Sequence, residues 1–153
     1  MERRAGLEAW ISFLRSHAAV TRELSSRLES QHGLTLSDYD VLVQLYYADE
    51  RALRRVDLAR SVLLTASGIT RLLDGLERAG WVRKQRCEND ARVTYAQLTT
   101  AGVAKFEAVR DTHLADIEEL FGSRFTAEEH GVLAELLGRL PLADAGACNS
   151  MSE

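Results

Sequence analysis

Cysteine is nearly missing from this chain. Cys87 and Cys148 are the only two among 153 residues, too few and too far apart for a disulfide framework or a four-ligand zinc site. No apolar run approaches the ~20 residues that span a bilayer, and the N-terminus lacks a signal-peptide pattern. A cytoplasmic protein with no membrane partner is the expectation. Also absent are a glycine-rich phosphate loop, a nucleophile elbow and a metal-ligand cluster. The histidines, His17, His32, His113 and His130, are scattered and form no ligand pair with Cys or carboxylate. No enzyme, cofactor or metal site is therefore expected. Proline occurs once, at Pro141, where the last helical periodicity stops.

What is present suits one globular domain or one subunit of an intertwined dimer: 46% of the residues are hydrophobic and 27% charged. The net charge of −4 hides an asymmetry. From Arg51 to Tyr95 there are ten Lys/Arg against five Asp/Glu, a surplus of five positive charges, while the remainder holds nine against eighteen. A basic stretch within an acidic chain is the footprint expected where phosphates are neutralised.

That basic stretch carries the organising pattern, Val56 to Thr100. It reads as a short helix, a tight turn, a longer helix, then two polar strands with a charged tip. Val56, Leu58, Ala59, Val62 and Leu63 are expected on the core face of the first helix. On the second, Ile69, Leu72, Leu73 and Leu76 share one side at about 100° per residue. Ser67, Thr70, Arg71, Asp74 and Arg78 occupy the other. Thr65 is placed to cap the second helix, and Gly80 to stop it. Two such helices joined by a few residues describe a helix-turn-helix. Beyond Val82, Arg83-Lys84-Gln85-Arg86 has no apolar alternation, so this strand is expected to project into solvent. Glu88 to Ala91 has turn composition and Arg92 to Tyr95 a β-prone return. Such a basic hairpin is a wing.

At these residues the chain resembles the MarR family of bacterial transcription regulators. The resemblance is carried by the run Thr-Arg-Leu-Leu-Asp-x-Leu-Glu from Thr70 to Glu77, by Gly80-Trp81-Val82, by Asp90-x-Arg92 at the wing tip, and by Leu98-Thr99. Ala91 departs from it, standing where the family often has another arginine. Gly68 and Gly75 lighten the second helix, and a helix-interior glycine costs roughly 1 kcal/mol relative to alanine. The resemblance implies a mainly α fold with a small β-wing, a winged helix-turn-helix, assembled as an obligate dimer through its N- and C-terminal helices. It also implies binding of double-stranded DNA. The residues expected at the DNA are Arg54, Arg55, Thr65, Ser67, Thr70, Arg71, Lys84, Arg86, Asp90 and Arg92. Arg71 would meet a guanine or a phosphate, and Arg92, oriented by Asp90, would enter the minor groove. Lys84 and Arg86 are assigned to phosphates, as is Arg60 on the supporting helix. Asp74 is expected to pair Arg71 or Arg78 at helical spacing instead.

The flanks follow the same pattern. Residues 1–30 form a long helix with the stripe Leu7, Ile11, Leu14, Ala18, Thr21, Leu24 and Leu28, ended by Gly33. Ser37 is expected to cap a second helix, with Asp38 and Asp40 in its first turn and Tyr39, Val41, Leu42, Leu45 and Tyr46 on its buried face. Ala52-Leu53-Arg54 should pair with the wing. Thr100 is expected to cap a helix reaching Phe121, striped by Val103, Phe106, Val109, His113, Ile117 and Leu120. Thr126 and Glu129 form a capping box for a last helix carrying Val132, Leu133, Leu136, Leu137 and Leu140. The divisions expected are 1–34 for dimerisation together with 101–142, 35–100 for the winged helix, and a disordered tail at 143–153. Two uncovered apolar helices favour a homodimer on a near-palindromic operator.

Trp10, Phe13, His17, Tyr39 and Tyr46 are candidates for a pocket between the first two helices and the fifth, where family resemblance places small aromatic effectors. Peroxide sensors of the family carry a reactive cysteine early in the first helix, and this chain has none there. The expected function is a repressor released by a small aromatic ligand. The alternative is a winged-helix protein-interaction module without specific DNA binding, against which the basic wing argues.

Overall fold

The computed structural model describes residues 2–62, 66–87 and 90–140. Leu63, Thr65, Glu88, Asn89, Pro141, Cys148 and the expected disordered tail lie outside the described residues. Among the described residues six α-helices and three strands follow in order: α1 (Glu2–His32), α2 (Leu36–Tyr47), β1 (Ala52–Arg54), α3 (Arg55–Ser61), α4 (Ala66–Arg78), β2 (Val82–Arg86), β3 (Thr94–Leu98), α5 (Thr100–Leu120) and α6 (Ala127–Leu137).

The helix ends follow local chemistry. Gly33 takes φ +67° and Gly80 φ +79°, backbone that a side chain would strain, and each ends a helix. At α2 the cap is Thr35, not Ser37. Its hydroxyl accepts the Asp38 N–H at 3.1 Å, while the Asp38 carboxylate accepts the Thr35 N–H at 2.9 Å. The box forms at Thr35 and Asp38, although Ser37 too has an acid three residues on, Asp40. Of the two expected acids only Asp38 lies in the first turn. Likewise Thr99, not Thr100, caps α5, accepting the Gly102 N–H at 3.0 Å and donating to the Gly80 carbonyl at 2.7 Å. At α6 Thr126 and Glu129 form the expected box.

The sheet is antiparallel in the order β1-β3-β2. Leu53 pairs with Ala96 on one side of β3, and Lys84 pairs with Ala96 on the other. Val82 is the one buried residue of β2, and every later position is exposed, as its composition predicts.

The core lies where α2, α3, α4, α5 and the sheet converge. Leu34, Leu42, Leu45, Leu58, Ile69, Leu73 and Phe106 are fully enclosed there, joined by Leu28 from the end of α1. Val56 is not in it. At 52% exposed it sits in the first turn of a seven-residue helix. Tyr46 is half-buried against the core, whereas Val43 and Gln44 join the buried face of α2.

The first half of α1 has no such cover. Leu7, Trp10, Ile11, Phe13 and Leu14 are all exposed, as are Val132, Leu136 and Leu140 at the other end of the chain. None of the α6 residues is buried.

Candidate nucleic-acid interface

The two helices of the motif, α3 and α4, pack against each other, with one face of α4 turned inward. Ile69, Leu73 and Leu76 anchor it to the core, which turns Arg71 and Arg78 to solvent. Thr70 is half-buried beside them. Ser67 lies in the first turn of α4, its side chain outside the described set, and Thr65 precedes it outside the described residues.

Between the start of α3, the middle of α4 and the wing strands opens a cleft of about 320 Å³, lined by Arg55, Thr70, Leu73, Lys84, Arg86 and Thr94 among others. Four of the ten residues expected at DNA therefore share one wall-to-wall space. Arg55, Arg71, Arg86 and Arg92 are exposed, and among the described residues none of them is held in an ion pair. Arg60 and Arg78 are in the same condition.

Two expected phosphate contacts are already engaged. Arg54 donates from Nε and Nη2 to the two oxygens of Asp57 at 2.6 and 3.0 Å. That bidentate pair spans the junction of β1 and α3. Lys84 lies 2.5 Å from Asp74 Oδ1 and 2.9 Å from Glu77 Oε2. The hydrogen bonds from Lys84 hold both carboxyls below their usual range, and the carboxylates raise the ammonium above its own. Asp74 thus pairs across to the wing, not along its own helix to Arg71 or Arg78. Sequence reading missed Glu77 entirely; its signal was a second carboxylate one turn from Asp74, just before a basic strand.

At the wing tip Asp90 does orient its neighbour, but through the backbone. Its Oδ1 accepts the Arg92 N–H at 3.0 Å, and its carbonyl accepts the Val93 N–H at 3.0 Å. The Arg92 guanidinium is left to solvent. On the far face of the sheet Arg83 donates to Gln97 Oε1 at 2.8 Å, and Gln97 donates to the Glu50 carbonyl at 3.2 Å. This unanticipated chain ties the wing to the turn before β1.

The five aromatic candidates fall into two groups within the chain. Trp10, Phe13 and His17 form a row along exposed α1, with ring centres 6.1 and 6.2 Å apart. Tyr39 and Tyr46 both pack on Phe106, at 5.7 and 4.4 Å. They do not line one cavity in a single chain. A cavity of about 390 Å³ does lie between α2 and α5, walled by Leu36, Tyr39, Asp40, Val43, His113 and Ile117 among others. Only Tyr39 of the five reaches it. His113, also on its wall, lies with its ring centre 4.4 Å from that of Tyr39, tilted by 59°, and has a buried Nδ1 without a hydrogen-bond partner. Burial holds its pKa below the ordinary imidazole value, against the pull of Asp116. Burial raises the Asp40 carboxyl, opposed by Gln44.

Known proteins share this arrangement. The MarR family model matches residues 32–93, from the end of α1 through β2 and stopping before β3. The regulator MhqR of Bacillus subtilis is 27% identical over 136 residues, spanning 89% of this chain and 91% of its own. The Streptomyces coelicolor MarR-family regulator Sco3205, solved in complex with DNA, superposes with a TM-score of 0.83 at 27% identity over 92% of this chain and 91% of that one. A MarR mutant from E. coli complexed with operator DNA gives 0.75 at 28% identity, over 89% and 94%. With the fold, the wing and the sequence likeness in agreement, the chain belongs to the MarR family of transcriptional regulators.

Proposed function

We propose that the chain binds a specific double-stranded DNA operator as a homodimer and represses transcription there. The observation that carries this reading is the set of exposed, unpaired arginines on one module: Arg55 and Arg71 around the helix-turn-helix, Arg86 and Arg92 along the wing. Phosphate neutralisation needs such cations, and the bidentate guanidinium also reads guanine in the major groove. The MarR-family neighbours solved on DNA support the same use of the fold. A wing that docked protein would offer apolar positions, and β2 exposes none beyond Val82.

Dimerisation is supported by the uncovered stripes of α1 and α6. Paired through them, two copies would present their reading helices about 34–36 Å apart and select a near-palindromic site. Release by a small aromatic ligand is supported by the α2/α5 cavity, whose about 390 Å³ suits a single-ring compound. Bound there, a ligand would touch the helix that begins beside the wing.

The test is a mobility shift with duplex DNA flanking the protein's own coding region, at low and high salt, with and without phenolic acids. Retarded DNA at low salt, competed by specific but not random duplex, is the expected result. No retardation at any salt overturns the DNA reading. Phenolic acids that neither release DNA nor raise the melting temperature overturn the effector reading alone.

A further inference from the structure

We propose that Lys84 is a positioning residue: it locks the wing at a fixed angle to the reading helix by gripping Asp74 and Glu77, and does not itself contact phosphate. The inference deepens, and rests on, the DNA-binding reading above.

The geometry is a three-bond clamp. The Lys84 ammonium meets Asp74 Oδ1 at 2.5 Å and Glu77 Oε2 at 2.9 Å. Its backbone N–H donates to the other Glu77 oxygen at 3.1 Å. One carboxylate therefore holds both the main chain and the side chain of a single strand residue. Asp74 and Glu77 lie three residues apart on α4, so both face the strand together.

On β2 itself nothing apolar duplicates this hold. After Val82 every β2 position is exposed, and further toward the tip, at Arg86 and Thr94, the cleft opens between wing and helix. The hairpin's buried anchors beyond Val82, Ala96 and Leu98, lie on β3, so the clamp is what fastens the outer half of β2 to α4.

Electrostatics points the same way. One ammonium between two carboxylates leaves the trio with a net charge of −1, on a surface that is to meet a polyanion. Such a trio offers DNA no net attraction, so geometry is what it supplies. Two of the three N–H donors of the ammonium are taken up by the two carboxylates.

The decisive variant is Asp74→Asn/Glu77→Gln, which removes two negative charges and keeps Lys84. If Lys84 served phosphates, freeing it would tighten binding and steepen the salt dependence. The clamp predicts the opposite sign: affinity weaker by at least about 10-fold at constant salt. Lys84→Met should weaken binding comparably with the log K against log salt slope unchanged, whereas a lost phosphate contact lowers the slope by about 0.9.

A second readout needs no DNA. In the free protein, 15N relaxation at Gln85, Arg86 and Arg92 should show order parameters falling from about 0.85 toward 0.6 or lower in both variants, with helical content retained. Equal or tighter binding by the double variant, or wing amides as ordered as in the wild type, overturns the proposal. Should the wild type bind no duplex at all, the DNA reading fails and the relaxation measurement still decides the clamp.

Discussion

At Gly102 a Cβ would fall well inside contact distance of the Trp81 carbonyl oxygen and 2.8 Å from Leu98 Cδ1. Gly75, in the middle of α4, has nothing within 4 Å of the same atom. One substitution should therefore act with opposite signs: Gly102→Ala destabilises by about 1–3 kcal/mol through overpacking, and Gly75→Ala stabilises by up to about 1 kcal/mol through helix propensity. Urea midpoints of the two variants check this. His113 gives a pH dependence. Its folded pKa is depressed, so the unfolded chain binds the extra proton first, and stability present at neutral pH is lost as pH falls below about 6.5. Asp40, raised by burial, acts with the opposite sign, so substitution at His113 is needed to isolate the imidazole. Melting temperature should drop from pH 7.5 to pH 5.5 in the wild type, and that drop should shrink in His113→Gln. Pairwise chemistry at single residues was only partly legible from sequence. The spacing of Asp74 to Arg71 and Arg78 is a helical regularity, but its partner Lys84 arrives through the fold-back at Gly80, which no periodicity encodes.

The elements themselves were largely legible, because their signals are local. Apolar spacing of three and four marked α4 and α5, and the polar run after Val82 marked a strand in solvent. Errors concentrate at ends. Thr35 and Ser37 are both hydroxyl residues with an aspartate three positions on, Asp38 and Asp40, so local composition fits either cap and the structure forms the box at Thr35. Accordingly Thr35→Ala should cost about 1 kcal/mol of stability, and Ser37→Ala far less, by thermal or urea unfolding. Val56 was misplaced because α3 has seven residues, too few for periodicity to fix which side faces inward. For the wing, the expected outcome concerns charge: Arg92→Ala should weaken operator binding and reduce the salt slope by about 0.9, measured by fluorescence anisotropy across salt. An unchanged slope would remove Arg92 from the phosphate and groove contacts.

For the whole molecule, the uncovered α1 stripe sets the prediction. Ile11→Glu/Leu14→Glu places charge where a second copy would pack, so sedimentation should report monomer and operator affinity should fall by more than about 100-fold. A variant that stays dimeric would move the interface elsewhere. The candidate pocket was the least legible feature: α1 has 31 residues, about 46 Å at 1.5 Å per residue, and its first half runs past anything α2 or α5 can reach. That overhang has a mechanical meaning. Burial of α1 starts at Leu24, and at the same level Arg27 is fastened to Asp116 at 2.7 Å and to Glu119 at 2.9 Å on α5. The helix is a lever with its fulcrum at Arg27, a short inner arm seated on the core and an outer arm of about 38 Å. A tilt of about 5° at that fulcrum sweeps the outer tip by about 3 Å, while the inner arm, only a few residues long, moves by a fraction of that.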